Sequence, residues 1–297
     1  IVFCSLSQPS IHTWQAIISG HTVQNEHGMS IQLYEDMQHE GICPDEFIFS
    51  SILKACSKVK DISYGRCLHN DIVLIGLESN VVLGSSLVDM YVKCGHIVDA
   101  RSVFDSMPNK NIVSWGAMMA GYTQHNFSYT VLELFAKMKL LSVKPNSYVF
   151  SCVLKACSDI GDLEKGVNIH EQIHLSGISP VLGNTLVEMY VKCGSIEEAQ
   201  NVFDKLSDRR VVSYAAIIRG YIELREVAIA MQLFRDMLLE DIEGNDVLFL
   251  HIVKACGQVG VTGVGRLFHS QIVENGLDMN LIIGSALIDM YAKCGSL

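Results

Sequence analysis

Ser86-Leu-Val-Asp-Met-Tyr-Val-Lys-Cys-Gly95 returns as Thr185-Leu-Val-Glu-Met-Tyr-Val-Lys-Cys-Gly194 and as Ala286-Leu-Ile-Asp-Met-Tyr-Ala-Lys-Cys-Gly295, at steps of 99 and 101 residues. A second phrase keeps the same beat: Ser50-Ser-Ile-Leu-Lys-Ala-Cys-Ser57, Ser151-Cys-Val-Leu-Lys-Ala-Cys-Ser158 and Leu250-His-Ile-Val-Lys-Ala-Cys-Gly257. So does a third: Thr13-Trp-Gln-Ala-Ile-Ile-Ser-Gly20, Ser114-Trp-Gly-Ala-Met-Met-Ala-Gly121 and Ser213-Tyr-Ala-Ala-Ile-Ile-Arg-Gly220. Three phrases in fixed rotation make a tandem array of short units, and arrays of this period build solenoids.

Setting the phrases in register divides the chain into 1–10 (the end of a unit), 11–45, 46–80, 81–111, 112–146, 147–179, 180–210, 211–245, 246–280 and 281–297 (the start of another), so both ends read as cut within a unit. Each unit reads as two helices. In 81–111, Leu87, Met90 and Tyr91 have helical i, i+3, i+4 spacing, Cys94-Gly95 ends the first helix, and Val103, Phe104 and Met107 mark a second that Pro108 stops. The apolar stripes of such a hairpin are buried only against the next unit, so length counts repeats rather than domains.

Composition narrows the function classes. The chain is 49% hydrophobic, yet Lys, Asp, Gly or Ser interrupts every apolar run well short of a membrane span, so it is expected to be soluble. Six of the ten cysteines, Cys56, Cys94, Cys157, Cys193, Cys256 and Cys294, recur at matching points after apolar helical stretches and read as small packing thiols in a reducing compartment. There is no Cys-x-x-Cys and no Cys/His cluster at zinc spacing, and no secretory or transit-like leader. The formal charge of -10 opposes polyanion binding unless the cations are gathered on one face.

A 35-residue unit ending Gly41-Ile-Cys-Pro-Asp45, one containing Leu53-Lys-Ala-Cys56 and Gly65-x-x-x-His69, and a 31-residue unit with Asp89-Met-Tyr-Val-Lys-Cys-Gly95 and Val103-Phe-Asp-x-Met-Pro108 resemble the P, L and S repeats of a PLS-class pentatricopeptide repeat protein. The resemblance covers essentially the whole chain. It makes 11–45, 112–146 and 211–245 P repeats, 46–80, 147–179 and 246–280 L repeats, and 81–111, 180–210 and 281–297 S repeats. It implies an all-α, right-handed α-solenoid that binds single-stranded RNA at one base per repeat, monomeric and without cofactor or membrane attachment. It further implies a mitochondrial or chloroplast factor for C-to-U RNA editing or RNA processing, with editing-complex proteins or a deaminase as partners.

The residues themselves give the same face a chemistry. Ser85, Asp89 and Lys93 recur as Asn184, Glu188, Lys192 and as Ser285, Asp289, Lys293, one helical turn apart, on what reads as the exposed side opposite Leu87, Met90 and Tyr91. A hydroxyl or amide there suits a base edge, and a lysine two turns on suits phosphates. In the family the fifth and last residues of a repeat read the base. Carried over, the pairs are Gln15/Asp45, Ser50/Asn80, Ser85/Asn111, Gly116/Asn146, Ser151/Ser179, Asn184/Arg210, Ala215/Asn245 and Leu250/Asn280, with Ser285 unpaired. The apolar second residues Val82, Val113, Val181 and Val212 would flank the bases. The family's code implies adenine for Ser85/Asn111 and a weak pyrimidine preference for Asn184/Arg210. Gln15, Gly116 and Ala215 depart from the usual fifth residue, and Leu250 has no hydrogen bond to offer, so specificity is expected to be short and degenerate. Lys54, Lys155 and Lys254, with Lys93, Lys192 and Lys293, form a candidate phosphate spine, or else solvate helix ends and favour their dipoles.

Other recurring residues read as structural. His69, His170 and His269 recur without the second histidine that His174 supplies to one of them, which favours packing over a metal pair. Trp14, Trp115 and Tyr214 share the fourth position of the P-type units and, with Met90, Met189 and Met290, read as core rather than as stacking platforms. No His-x-Glu with Pro-Cys-x-x-Cys, phosphate loop or nucleophile elbow is present, so no catalysis is expected from this stretch. The alternatives to RNA binding are a protein-binding scaffold and the recognition array of an editing enzyme whose deaminase lies beyond Leu297.

Overall fold

The computed structural model describes residues 10–174 and 180–295, and these contain seventeen α-helices and no strand. The chain divides into two compact units, Ile1–Cys152 and Val153–Leu297, the division falling within α9. In the first, α1 (Ile11–Val23), α2 (His27–His39), α3 (Glu46–Val59), α4 (Ile62–Leu74), α5 (Val81–Lys93), α6 (Ile97–Ser106), α7 (Ile112–Gln124) and α8 (Ser128–Leu140) lead into α9 (Ser147–Ile160). In the second follow α10 (Leu163–His174), α11 (Pro180–Lys192), α12 (Ile196–Asp204), α13 (Val211–Glu223), α14 (Val227–Leu239), α15 (Asp246–Val259), α16 (Thr262–Glu274) and α17 (Leu281–Lys293). Of the expected partial unit 1–10, only Ser10 lies within the described residues.

Each unit is two layers deep. Odd-numbered helices pack on one another, α1 on α3, α3 on α5 and α5 on α7 in the first unit, and α11 on α13, α13 on α15 and α15 on α17 in the second. Even-numbered helices α2, α4 and α6 in the first unit, and α12 and α16 in the second, pack against both their own hairpin partner and the next odd helix. The apolar stripes meet between the layers: Phe49, Ile52 and Leu53 of α3 and Met90 of α5 are fully buried, as are Tyr214, Ile217 and Ile218 of α13. Removing such a side chain from water stabilises by about 1.5–3 kcal/mol.

The recurring phrases are packing instructions. After α5 the chain turns back with Gly95 N–H on Val92 O at 3.0 Å and His96 N–H on Tyr91 O at 2.8 Å, a Schellman closure that needs Gly95 at φ 82°. Cys56, Cys157 and Cys256 are buried, while Cys94, Cys193 and Cys294 are half-buried. Trp14, Trp115 and Tyr214 lie in the core, as do Met90, Met189 and Met290.

The Gly-x-x-x-His motif pins consecutive hairpins together. A β-carbon on Gly65 would stand 2.6 Å from Met90 Sδ, so glycine lets that thioether lie directly against α4. One turn on, His69 Nδ1 and Tyr91 Oη are hydrogen-bonded at 2.9 Å. The pin recurs as His170 with Tyr190 at 2.8 Å and His269 with Tyr291 at 3.0 Å. Tyr91→Phe is expected to cost about 1 kcal/mol, read as a lower urea midpoint; an unchanged midpoint would refute the pin.

This pin is sensitive to acid. Burial holds His69 below its ordinary pKa of 6.5, against a smaller opposing pull from Asp99. As pH falls through 6.5 the unfolded chain takes up the proton first, so stability is full above that value and is lost below it. Urea midpoints measured at about pH 7.5 and about 5.5 are expected to fall more for the native protein than for His69→Gln, and an equal fall would contradict this.

Candidate nucleic-acid interface

The odd-numbered helices of each unit form a wall, and the expected reading residues lie on it or at its seams. The last residue of a unit turns out to be the N-cap of the next odd helix. Asp45 Oδ1 accepts from Phe47 N at 3.1 Å and Ile48 N at 2.9 Å at the start of α3. Asn80 Oδ1 does the same with Val82 N at 2.9 Å and Leu83 N at 3.1 Å, and Asn111 Oδ1 with Val113 N at 3.0 Å and Ser114 N at 2.9 Å. Asn146 Oδ1 takes Val149 N at 3.0 Å, Asn245 Oδ1 takes Leu248 N at 2.9 Å, and Asn280 Oδ1 takes Ile282 N at 3.0 Å and Ile283 N at 3.4 Å. Each cap satisfies amides that a helix start leaves orphaned, which explains Asn or Asp at these positions without any ligand.

The cap nevertheless fixes what the side chain presents. With Oδ1 committed to backbone, each asparagine has only its amide donors left to offer, whereas Asp45 has an acceptor, Oδ2, that makes no bond among the described residues. Arg210 breaks the pattern. Its side chain does not cap α13; the guanidinium binds Asp208 Oδ2 at 2.7 and 2.9 Å, and Ser213 Oγ accepts Arg210 N at 3.1 Å. Ser179 lies outside the described residues.

The fifth residues are less exposed than the periodicity of one helix implies. Ser85 is only 4% exposed, because α5 and α7 pack side by side and its hydroxyl donates to Val81 O at 2.7 Å and to Asn111 Oδ1 at 3.1 Å. Fifth and last residue of that unit therefore touch. Gly116 and Ala215 are buried in the same kind of seam, Gln15 and Leu250 are half-buried, and Ser285 is exposed and bonds back to Leu281 O at 2.7 Å. Ser50 Oγ lies 3.1 Å from Ser86 Oγ across α3 and α5. Ser151 Oγ and Asn184 Oδ1 are buried polar atoms with no hydrogen-bond partner among the described residues, which in a native interior calls for an explanation.

The second residue of each odd helix from α3 onward is a large apolar side chain left 49–63% exposed: Phe47, Val82, Val113, Tyr148, Val181, Val212, Val247 and Ile282. Phe47, Tyr148, Val247 and Ile282 belong with the four valines that the sequence singled out, and the unit register alone finds them. Three of them, Val113, Val212 and Val247, rim clefts. In the first unit Ser50, Lys54, Ser85, Ser86, Asp89 and Val113 line one; in the second, Val212, Ala215, Arg219, Asn245, Val247 and His251, with Glu188, line another.

The lysine line is only half available. Lys93 holds Asp89 at 2.5 Å, Lys293 holds Asp289 at 2.6 Å, and Lys192 lies 3.1 Å from Glu188 and 3.7 Å from Asp159, so these cations share their face with carboxylates. Lys54, Lys155 and Lys254 are exposed and carry no ion pair among the described residues. Among those residues no group of His, Cys, Asp and Glu gathers to hold a metal, and no helix is long and apolar enough to cross a membrane.

Comparison with known proteins bears on this wall. A profile of the PPR repeat family matches residues 9–58 and 110–159, and a PPR repeat profile matches 85–112, 184–211 and 212–242. A chloroplastic pentatricopeptide repeat-containing protein of Arabidopsis thaliana is 36% identical over 295 residues, 99% of this chain and 48% of the relative. A mitochondrial one from the same plant is 34% identical over 297 residues, 99% of this chain and 29% of its own length. The chain thus spans less than half the length of these relatives. Among solved structures, the pentatricopeptide repeat protein PPR10 in complex with an 18-nt psaJ RNA element superposes with a TM-score of 0.82 at 19% identity, over 97% of this chain and 44% of PPR10. PPR10 from maize alone gives 0.77 at 18% identity, over 99% of this chain and 43% of PPR10. The fold is that of an α-solenoid of tandem helix hairpins.

Proposed function

Because the chain belongs to the pentatricopeptide repeat family, we propose that its odd-helix wall binds single-stranded RNA, one base per hairpin. The fifth and last residues meet the base edge and the exposed second residues stack against its faces. The observation that carries this reading is the cap geometry: a repeated Asn or Asp whose free arm is fixed by its own helix beside an exposed apolar side chain. The free arm also sets the choice. An asparagine offering donors suits a ring nitrogen that accepts, N1 of adenine or N3 of cytosine; Asp45 suits one that donates, in guanine or uracil. The Ser85/Asn111 pair reads adenine and the Asn184 amide reads a pyrimidine. Lys54, Lys155 and Lys254 are the phosphate contacts that remain free. The P, L and S rotation supports a PLS-type protein, the recognition part of a mitochondrial or chloroplast editing or processing factor that works with editing-complex proteins or a deaminase.

Titration with pools of single-stranded RNA at several salt concentrations tests this. Affinity is expected to fall with salt at a log–log slope of about -0.7 per phosphate contact, so about -2 for three lysines, with adenine enriched at one fixed register. Absence of binding tighter than micromolar at low salt would refute it in favour of a protein scaffold, which the carboxylates Asp89 and Glu188 in the clefts would suit.

A further inference from the structure

Behind the wall of the first unit, between α6, α8 and the buried edge of α7, lies a cavity of about 320 Å³ lined by Arg101, Phe104, Lys110, Trp115, Lys137 and Leu141 among others. Trp115 is 2% exposed and its Nε1 has no acceptor among the described residues. Lys110 and Lys137 carry no ion pair there, while Arg101 is spent on Asp105 at 2.7 Å. Leu140 and Leu141, 85% and 64% exposed, stand at the cavity as apolar surface. A buried indole N–H with no acceptor, two ammonium groups without an ion pair and bare leucines make an unusual combination on a chain of net charge -10, the one carboxylate in the lining, Asp105, being held by Arg101.

The second unit contains the same cluster with a carboxylate added, although Tyr214 Oη makes no hydrogen bond among the described residues. Phe203 meets Tyr214 edge-on with centroids 4.9 Å apart at 78°, as Phe104 meets Trp115 at 4.8 Å and 78°. Arg209 lies 5.0 Å over the Phe203 ring and donates to Phe203 O, as Lys110 lies 5.3 Å over Phe104 and donates to Met107 O. There, however, Glu240 completes the cluster: its Oε1 accepts from Arg209 at 3.1 Å. Its carboxylate also adds to burial in pushing the Tyr214 phenol up to about 12. In register, Glu240 corresponds to Leu141. The first unit therefore shares the cation and the aromatic pair, with tryptophan where the second has tyrosine and leucine where the second has the carboxylate.

We infer that this cavity receives a carboxylate from outside, a glutamate or aspartate side chain of a partner protein followed by a bulky apolar residue. The acid takes a hydrogen bond from Trp115 Nε1 and the charge of Lys110 and Lys137, where Glu240 serves the sister cluster. The apolar neighbour covers Leu140 and Leu141. A nucleic acid offers an anion but no apolar side chain to cover the leucines, so a peptide fits the lining better.

The chain has two tryptophans, so its indole ¹H–¹⁵N signals are two, and Trp115→Phe identifies one of them. Titration with acetyl-Glu-Leu-amide to millimolar concentration is expected to move the Trp115 signal downfield and leave that of Trp14 in place. The glutamine counterpart, acetyl-Gln-Leu-amide, is expected to bind at least about tenfold more weakly, the loss of one charge-assisted contact. Leu141→Glu, which installs the sister cluster's own acid on an exposed position, is expected to abolish the shift while the circular dichroism spectrum stays native. An unmoved Trp115 signal, equal response to both peptides, or undiminished binding by Leu141→Glu would overturn the assignment. So would a single-stranded RNA that displaces the peptide from Trp115.

Discussion

Asn111→Asp is expected to change the preferred base at its register from adenine to guanine while leaving the fold as stable as before. Asp and Asn are equivalent N-caps, and a carboxylate at a helix start gains from the dipole, so Oδ1 keeps Val113 N, Ser114 N and the Ser85 hydroxyl. Only the free arm changes, from two donors to one acceptor. Adenine N1 then faces an oxygen instead of an N–H, whereas guanine N1–H gains an acceptor. A base edge left unpaired in a desolvated slot costs about 1–3 kcal/mol, and the preference reverses, so the ratio of affinities for RNAs differing only at that base should swing by at least about thirtyfold. Asn111→Ala separates the two roles: it should lose about 1 kcal/mol of stability with the cap and lose discrimination without reversing it. Anisotropy titrations with four oligonucleotides, beside thermal melts, give both numbers. An Asn111→Asp protein that still prefers adenine, or that weakens equally toward all four bases as simple repulsion of phosphates would do, sinks the reading in which the cap sets the base.

The repeated phrases made the hairpins, their order and most of the core readable without coordinates, because one-dimensional arrays write each contact as often as they repeat. The core placement of Trp115 and Met90 and the structural character of the histidines followed from register alone, while the tyrosine partner of each histidine did not. The site was only half legible. Helical periodicity placed Ser85 on an open face, but periodicity describes one helix in isolation, and it is the neighbouring α7 that buries Ser85 against Asn111. The cap role of the last residues was available from the ordinary preference for Asn and Asp before a helix, and it accounts for those residues as well as any ligand does. The pairing of Lys93 with Asp89 was implicit in their spacing of four, yet its effect on the phosphate line appears only when both are seen on one face. Leu141 differs visibly from Glu40 and Glu240 in register; that this difference opens a cavity beside Trp115 depends on the packing of three helices.

Gly65→Val tests whether the contact between α4 and α5 is as tight as the repeated Gly-x-x-x-His motif implies. The first atom of any side chain there would stand 2.6 Å from Met90 Sδ and 2.8 Å from Met90 Cε, so the fully buried Met90 thioether must shift to admit it. Overpacking of this kind costs about 1–3 kcal/mol, and valine replaces only part of that loss by relieving glycine's helix penalty of about 1 kcal/mol. Met90→Ala errs in the opposite direction and should cost about 2–5 kcal/mol through the cavity it leaves. Combined, the two changes compensate, since the valine enters the volume that the methionine vacates. The double variant should therefore be more stable than the sum of the singles by about 1–3 kcal/mol. Because repeat arrays open locally, hydrogen exchange of the α4 and α5 amides is the measurement to use, with global melts as a second reading. Gly166 with Met189 and Gly265 with Met290 make the same contact, so the sign of the coupling should repeat there. Strict additivity at all three pairs would mean that the glycine serves the helix alone and that the hairpins are held by other contacts.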